Sequence, residues 1–136
     1  MVQMTAKALS NVLCSAVHGP SGTVLRTDAP GDMGGAASSF SPTDLVAVAL
    51  LTCIMTTMGL VAERLGVDLT GMEGSVTKAM AATSPRRIAR LAVTLDIPAG
   101  VNEITRDKLE HSAQHCPVHQ SLHPETVQEI VFNWAT

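Results

Sequence analysis

Length, composition and charge limit what this sequence can encode. The chain has 136 residues, of which 46% are hydrophobic and only 2% aromatic, and its formal charge is −3. This length is typical of one domain, so we expect a single domain over residues 1–136. Lys and Arg form no stripe and do not alternate with aromatic residues, which excludes the basic surface typical of nucleic-acid-binding proteins.

The cysteine content and the N-terminus indicate the compartment. Three cysteines do not make a disulfide scaffold, because one would be left without a partner. Met1–Leu9 contains no apolar run long enough for a signal peptide. We therefore expect a cytoplasmic protein, in which a pair of cysteines that forms a disulfide usually has a redox function.

The first part of the chain is predicted to form three strands. Met4–Leu9 and Val12–Val17 are compatible with β-structure, and a turn-forming segment at 19–22 precedes a third strand at Thr23–Thr27. A loop rich in Gly, Ala and Ser then runs from Asp28 to Phe40. A loop of this length in a small domain often carries a function.

A long helix is predicted to follow this loop. Ser41 is a favourable N-cap, Pro42 suits the first helical position, and Asp44 completes a capping box. The helix should extend to Leu65 and end at Gly66, which can adopt the left-handed conformation of a C-terminal cap. Because it is apolar on nearly every side, we expect a sheet and a second subunit to bury it.

A membrane span is the alternative interpretation of this helix. Leu45 to Ala62 contains 18 residues without a charge, which is the lower limit for crossing a bilayer. Polar residues lie at its centre, however, and strand-like sequence flanks it on both sides. We therefore predict a buried helix and no membrane partner.

The second half of the chain is predicted to contain three more strands and two helices. Strands at Met72–Ala81 and Arg87–Ile97 precede a helix over Glu103–Gln114 that Asn102 caps. A short helix starts at Cys116-Pro117, and a last strand covers Val127–Trp134. The order β-β-β-α-β-β-α-α-β indicates an α+β fold with two antiparallel sets of strands.

The cysteines are candidate functional residues. Cys53 lies in the middle of the long helix, where it could be core packing, but nearby threonines could donate hydrogen bonds to a thiolate. Cys116 lies at a helix cap, where free N–H groups stabilise a thiolate, although it could equally be an ordinary cap. Cys14 has no relevant polar neighbours and is predicted to be structural.

Histidines near Cys116 allow a third interpretation, a metal site. His111 and His115 have the i, i+4 spacing of metal ligands on a helix, and His119 and His123 follow Cys116. Pro117 interrupts that helix, and no further cysteine or acidic ligand completes a known pattern. We therefore assign no metal, and keep the His111–His123 module as a lesser alternative.

Two motifs together resemble the OsmC/Ohr family, the osmotically induced and organic hydroperoxide resistance proteins. The first is Ser41-Pro42-Thr43-Asp44-Leu45 with a helix continuing to Cys53, and the second is the segment from Cys116 to Leu122, Cys-Pro-Val-His-Gln-Ser-Leu. The resemblance extends from Leu9 to Trp134 and includes the predicted order of elements.

The resemblance implies an OsmC-like fold in which a long central helix lies among the strands of an intertwined homodimer. It also implies a thiol-dependent peroxidase for organic hydroperoxides, in which Cys53 is oxidised to a sulfenic acid and Cys116 resolves it as a disulfide. An external dithiol then reduces the disulfide, so no bound cofactor is expected.

The residues expected to activate Cys53 differ from those of well-studied peroxidase members. Those members have a Glu after the helix-start Pro, where this chain has Thr43, and the carboxylate is one position later at Asp44. Arg26 is the nearest candidate for the arginine that pairs with the thiolate in those members, and Arg86 and Arg87 on the predicted hairpin could substitute for it across the dimer. The alternative function is a non-catalytic OsmC-like dimer that binds a small hydrophobic molecule at the subunit interface.

Overall fold

The computed structural model describes residues 1–98 and 100–135. Within them the chain forms six strands, three α-helices and one 3-10 helix at Gly31–Met33. The elements are β1 (Met4–Ala8), β2 (Leu13–His18), β3 (Val24–Asp28), α1 (Pro42–Arg64), β4 (Glu73–Met80), β5 (Ile88–Ile97), α2 (Glu103–Ala113), α3 (Pro117–Ser121) and β6 (Val127–Trp134). This order confirms the α+β prediction and the predicted succession of elements.

The chain divides into two compact units, Met1–Val46 and Ala47–Thr136. The first unit contains an antiparallel sheet in the order β1-β2-β3. In its register Met4 pairs with His18 and Leu13 pairs with Asp28. Every residue of β1 is exposed.

The loop after β3 is held to the end of the strand by one buried carboxylate. Asp28 Oδ2 accepts hydrogen bonds from the N–H of Ala36 at 3.3 Å, the N–H of Ser38 at 3.0 Å and the Ser38 hydroxyl at 2.7 Å. The bonds from Ser38 are the main reason that the pKa of Asp28 is lowered. The predicted long loop is therefore anchored at its base.

Helix α1 begins and ends at the predicted signals. The Ser41 hydroxyl accepts a hydrogen bond from the Asp44 N–H at 3.1 Å, and the Asp44 carboxylate accepts one from the Ser41 N–H at 2.9 Å. This reciprocal pair is a capping box. At the other end Gly66 has a φ of 70°, and the Val67 N–H donates to the Ala62 carbonyl at 2.9 Å. That bond is typical of a Schellman cap.

The second unit contains a mixed sheet in the order β4-β5-β6. β4 and β5 are antiparallel, whereas β5 and β6 are parallel, with Arg90 opposite Val127 and Ile97 opposite Trp134. The prediction of two purely antiparallel sets of strands is therefore wrong for β6. The physical reason is the connection, because a crossover through helices such as α2 and α3 joins parallel strands.

The core of the second unit lies between one face of α1 and one face of β5. The helix contributes a buried stripe of apolar residues at helical spacing, and alternate residues of β5 meet it, as the alternation of that strand predicted. The stripe comprises Ala47, Leu50, Ile54, Met58 and Ala62, and the strand contributes Leu91, Val93, Leu95 and Ile97. On α1 the buried residues are confined to this stripe in the single chain, and Leu60 on another side of the helix is 55% exposed.

By length and composition alone, α1 could also span a membrane, as the core helix of a water-soluble protein often could. In this chain, 28% of its most apolar 18-residue window is buried. The remaining apolar face is open in the single chain.

Leu95→Ala tests the core directly. Leu95 is fully buried in β5, so its truncation is expected to lower the free energy of unfolding by about 2–5 kcal/mol through lost apolar contact and a residual cavity. Urea denaturation followed by circular dichroism measures the change. Lys108→Ala, at an exposed position of α2, is the matched control and should change it by less than about 0.5 kcal/mol.

Candidate active site

Cys116 caps the short helix α3 and is completely buried. Its backbone is extended, with φ −68° and ψ 151°, and Pro117 occupies the first helical position. The sulfur accepts a hydrogen bond from the His119 N–H at 3.3 Å. The exposed fraction of Cys116 is 0%. The predicted cap is present, with the side chain turned towards the protein interior.

Cys53 lies on α1 next to the buried stripe, and the fold brings it to Cys116. It is half-buried and packs against the core cluster that includes Cys116. The Cys53 thiol interacts with Cys116 both as a hydrogen-bonding group and through charge. The two cysteines are 63 residues apart in the sequence, so only the tertiary fold brings their thiols together.

The environment of Cys116 favours the protonated thiol. Burial is the largest influence and raises its pKa above the ordinary value of 9.0. The N–H groups of His119 and Val118 lower the pKa, whereas the Cys53 thiol raises it further through its hydrogen bond and charge. The net shift is upward, so Cys116 is a neutral thiol at physiological pH.

This raised pKa predicts a loss of stability in alkaline solution. As the pH rises above the unfolded value near 9, the unfolded chain releases the Cys116 proton before the folded chain does. The contribution of the buried neutral Cys116 thiol to the free energy of unfolding is complete below that pH, and it is lost as the pH rises through the pKa of Cys116 in the folded chain. The free energy of unfolding, measured in urea from pH 7 to 11, should therefore fall more steeply for the wild type than for Cys116→Ala. If the free energy of unfolding fell equally steeply with pH in both proteins, the upward shift of the Cys116 pKa would be contradicted.

An open groove of about 430 Å³ lies beside Cys53. Among the described residues that line it, none carries a charge. They come from α1 and from the start of α3: Ala49, Thr52, Cys53, Thr56, Thr57, Leu60, Pro117 and Val118. A groove of this composition can hold an apolar molecule next to the Cys53 sulfur.

The threonines of this lining were expected from the sequence as hydrogen-bonding neighbours of Cys53, whereas Ala49, Leu60 and the start of α3 were not predicted as site residues, although the sequence contained a signal for part of them. Ala49, Thr56 and Thr57 are four residues before, three after and four after Cys53, which places them on the same helical face. Pro117 and Val118 follow Cys116 directly in the sequence. Helical spacing from a candidate nucleophile therefore identifies part of its pocket.

The other predicted site residues lie in the first unit. Thr43 and Asp44 are in the first turn of α1, where Asp44 belongs to the capping box and the Thr43 hydroxyl lies 3.2 Å from that of Ser41. Arg26 is exposed on β3, and its carbonyl accepts a hydrogen bond from the Ser39 hydroxyl at 2.9 Å. An activating role for these residues stays a prediction.

The histidine segment does not assemble a metal site in the part of the chain that the structure describes. The rings of His111 and His115 lie 4.2 Å apart, and one ring nitrogen of His115 lies 2.8 Å from the His111 carbonyl oxygen. No group of three or more His, Cys, Asp or Glu side chains in residues 1–98 and 100–135 is placed to hold a metal ion.

Comparison with known proteins identifies the family. A model described as OsmC-like protein matches residues 34–130. A solved structure from Psychrobacter arcticus 273-4 is described as an osmotic stress induced and detoxification response protein. It is 32% identical to this chain, the match covers 98% of this chain and 96% of that one, and the TM-score is 0.93. No curated protein matches the sequence.

More distant structures share the fold. An OsmC-like protein from Mycoplasma pneumoniae is 15% identical over 100% of this chain and 98% of its own, with a TM-score of 0.82. An organic hydroperoxide resistance protein OsmC from Legionella pneumophila is 18% identical to this chain. The match covers 98% of this chain and 96% of that one, with a TM-score of 0.74. With the family model matching most of the sequence, this chain belongs to the OsmC-like protein family.

Proposed function

We propose that this protein is a thiol-dependent peroxidase that reduces organic hydroperoxides, with Cys53 as the nucleophile and Cys116 as the resolving thiol. The observation that carries the proposal is the meeting of the two thiols at the edge of an uncharged groove. Cys53 lines this groove, whereas Cys116 is fully buried and precedes the lining residues Pro117 and Val118 in the sequence. Proteins named for organic hydroperoxide resistance share this fold.

The chemistry follows from the different exposure of the two sulfurs. The Cys53 thiolate attacks the terminal oxygen of the hydroperoxide, so that an S–O bond forms, the O–O bond breaks and an alkoxide leaves and takes up a proton. Cys53 is then a sulfenic acid. The Cys116 thiol attacks its sulfur, a disulfide forms and water leaves.

A dithiol reductant completes the cycle without a bound cofactor. Its first thiolate attacks the Cys53 sulfur, which lines the groove, and releases Cys116. The leaving thiolate accepts the hydrogen bond from the His119 N–H and takes up a proton. The second thiol of the reductant then displaces Cys53 and leaves as the oxidised dithiol. We place this cycle in the cytoplasm, where such reductants are maintained.

A homodimer is part of the proposal, because apolar faces of the second unit are uncovered in the single chain. Leu60 on α1 is 55% exposed, and Val127 and Val131 on β6 are 51% and 53% exposed. A second copy of the chain packed on α1 would cover the groove and exclude water from Cys53. That covering would favour apolar hydroperoxides over hydrogen peroxide.

The alternative function is a non-catalytic dimer that binds a small hydrophobic molecule in the same groove. The absence of charge among the groove's described lining residues favours this alternative, because a reactive thiolate usually has a cation beside it and none of these residues is one. The two functions make different predictions about turnover. A binding protein would retain its ligand without consuming peroxide.

Steady-state peroxide consumption distinguishes the two functions. Purified protein is mixed with cumene hydroperoxide and excess dithiothreitol, and the remaining peroxide is measured over time. We expect consumption far beyond one equivalent per subunit, and no consumption after the thiols have been alkylated. Consumption that does not exceed the rate in protein-free buffer would contradict the proposed enzyme and support the binding protein.

A further inference from the structure

Helix α3, which Cys116 caps, depends on the rest of the fold for its position. It has five residues, Pro117–Ser121, and none of them is fully buried. A helix of this length is not stable by itself in water, so contacts with other elements must hold it. Val118 and Leu122 pack against the core, but apolar packing is not directional and does not by itself fix the orientation of the helix.

A directional contact to α3 comes from Gln128 on β6. The side-chain Nε2 of Gln128 donates a hydrogen bond to the His119 carbonyl oxygen at 3.2 Å. That carbonyl belongs to the last turn of α3, where carbonyls have no following turn of helix to bond with. The N–H of the same histidine donates to the Cys116 sulfur at 3.3 Å. The backbone of His119 is therefore bonded both to β6 and to the buried thiol.

The Gln128 side chain is poorly suited to packing alone. It is half-buried, and its Oε1 is a buried atom without a hydrogen-bond partner within residues 1–98 and 100–135. A buried acceptor without a partner destabilises the folded chain, whereas methionine would fill a similar space without a polar atom of this kind. The hydrogen bond to His119 therefore indicates that Gln128 places α3 rather than stabilises the fold.

We propose that Gln128 is a positioning residue that holds Cys116 where its sulfur can bond to that of Cys53. This role rests on the proposed function, in which the two thiols form a disulfide. A disulfide forms only within narrow limits of distance and direction, so a displaced α3 would reduce the fraction of molecules in which the two sulfurs can join. Gln128 acts on Cys116 through the backbone of His119.

The equilibrium between the two thiols and their disulfide measures this placement. Protein with Cys14→Ser is equilibrated without oxygen in mixtures of reduced and oxidised glutathione, quenched with acid and analysed by mass spectrometry. Disulfide formation removes two hydrogen atoms from the protein and converts one oxidised glutathione into two reduced molecules. Gln128→Met removes the donor, and the loss of one hydrogen bond is expected to lower the equilibrium constant of this exchange about threefold to tenfold.

Further variants separate the hydrogen-bond donor from the size of the side chain. Gln128→Glu has nearly the same shape but only accepts hydrogen bonds at neutral pH, so it should lower the equilibrium constant as Gln128→Met does. Gln128→Lys retains a donor on a long chain and should keep the constant closer to that of the parent. Asn133→Ala is the matched control, because it removes an amide of β6 that donates to Asp96 on β5. Its constant should equal that of the parent.

The same measurement distinguishes positioning from a general effect on the fold. A purely structural role would destabilise the reduced and the oxidised protein equally and leave the equilibrium constant unchanged. Equal constants for Gln128→Met, Gln128→Glu and their parent would therefore overturn the role of Gln128, even in a protein that consumes hydroperoxide. The assay contains no peroxide, so a protein whose constant falls in both variants but that consumes no hydroperoxide contradicts only the proposed function.

Discussion

Replacing Cys53 with serine is expected to reduce the rate of hydroperoxide consumption by at least about 10³-fold. The thiolate is the nucleophile, and a serine hydroxyl does not ionise at neutral pH, so the first S–O bond cannot form. Cys53 is half-buried, and serine is slightly smaller, so the fold should be retained. The measurement is peroxide loss with dithiothreitol in excess, together with circular dichroism to confirm folding.

Cys14→Ser is the control for this experiment, because Cys14 is an exposed thiol on β2. It should leave the rate of peroxide loss unchanged. If Cys53→Ser consumed hydroperoxide as fast as the wild type, Cys53 would not be the nucleophile. A reduced rate for Cys14→Ser alone would instead assign the reaction to the first unit.

Replacing Cys116 with serine is expected to separate the oxidation of Cys53 from its resolution. Serine is a favourable N-cap, so α3 should be retained. The Cys53 sulfenic acid then has no neighbouring thiol, and further peroxide oxidises it irreversibly to the sulfinic acid. We expect the number of turnovers before inactivation to fall by at least roughly tenfold.

Mass spectrometry measures this effect after treatment with increasing equivalents of cumene hydroperoxide. Cys116→Ser should gain one oxygen atom and then two at Cys53, and dimedone should trap the intermediate with one oxygen. The wild type should instead lose two hydrogen atoms as the disulfide forms. A variant that keeps full turnover without any oxygen added to Cys53 would show that another group resolves the sulfenic acid.

The local elements could be predicted from the sequence because their signals are local. Three signals act over only a few residues: the capping residues Ser41 and Asp44, the glycine at position 66 and the alternation of β5. The structure places all of them as expected. The direction of β6 could not be predicted in this way. Strand pairing is a long-range property, and the crossover through α2 and α3 decides it.

The candidate site could be predicted only in part. Each cysteine alone had an ordinary structural explanation, and their pairing came from the resemblance to a family rather than from the spacing of residues. Burial then distinguishes them, because Cys116 is inaccessible whereas Cys53 lines a groove. Such a difference depends on how α1 and α3 pack, which no local pattern in the sequence specifies.

The most direct test of the central claim is a titration of free thiols before and after one equivalent of cumene hydroperoxide. All three cysteines lie within the described residues and are free thiols. We predict the loss of two thiols per subunit, with a Cys53–Cys116 disulfide identified in the peptide map by mass spectrometry. Three unchanged thiols, or a disulfide that includes Cys14, would contradict the claim that Cys53 and Cys116 form the redox pair.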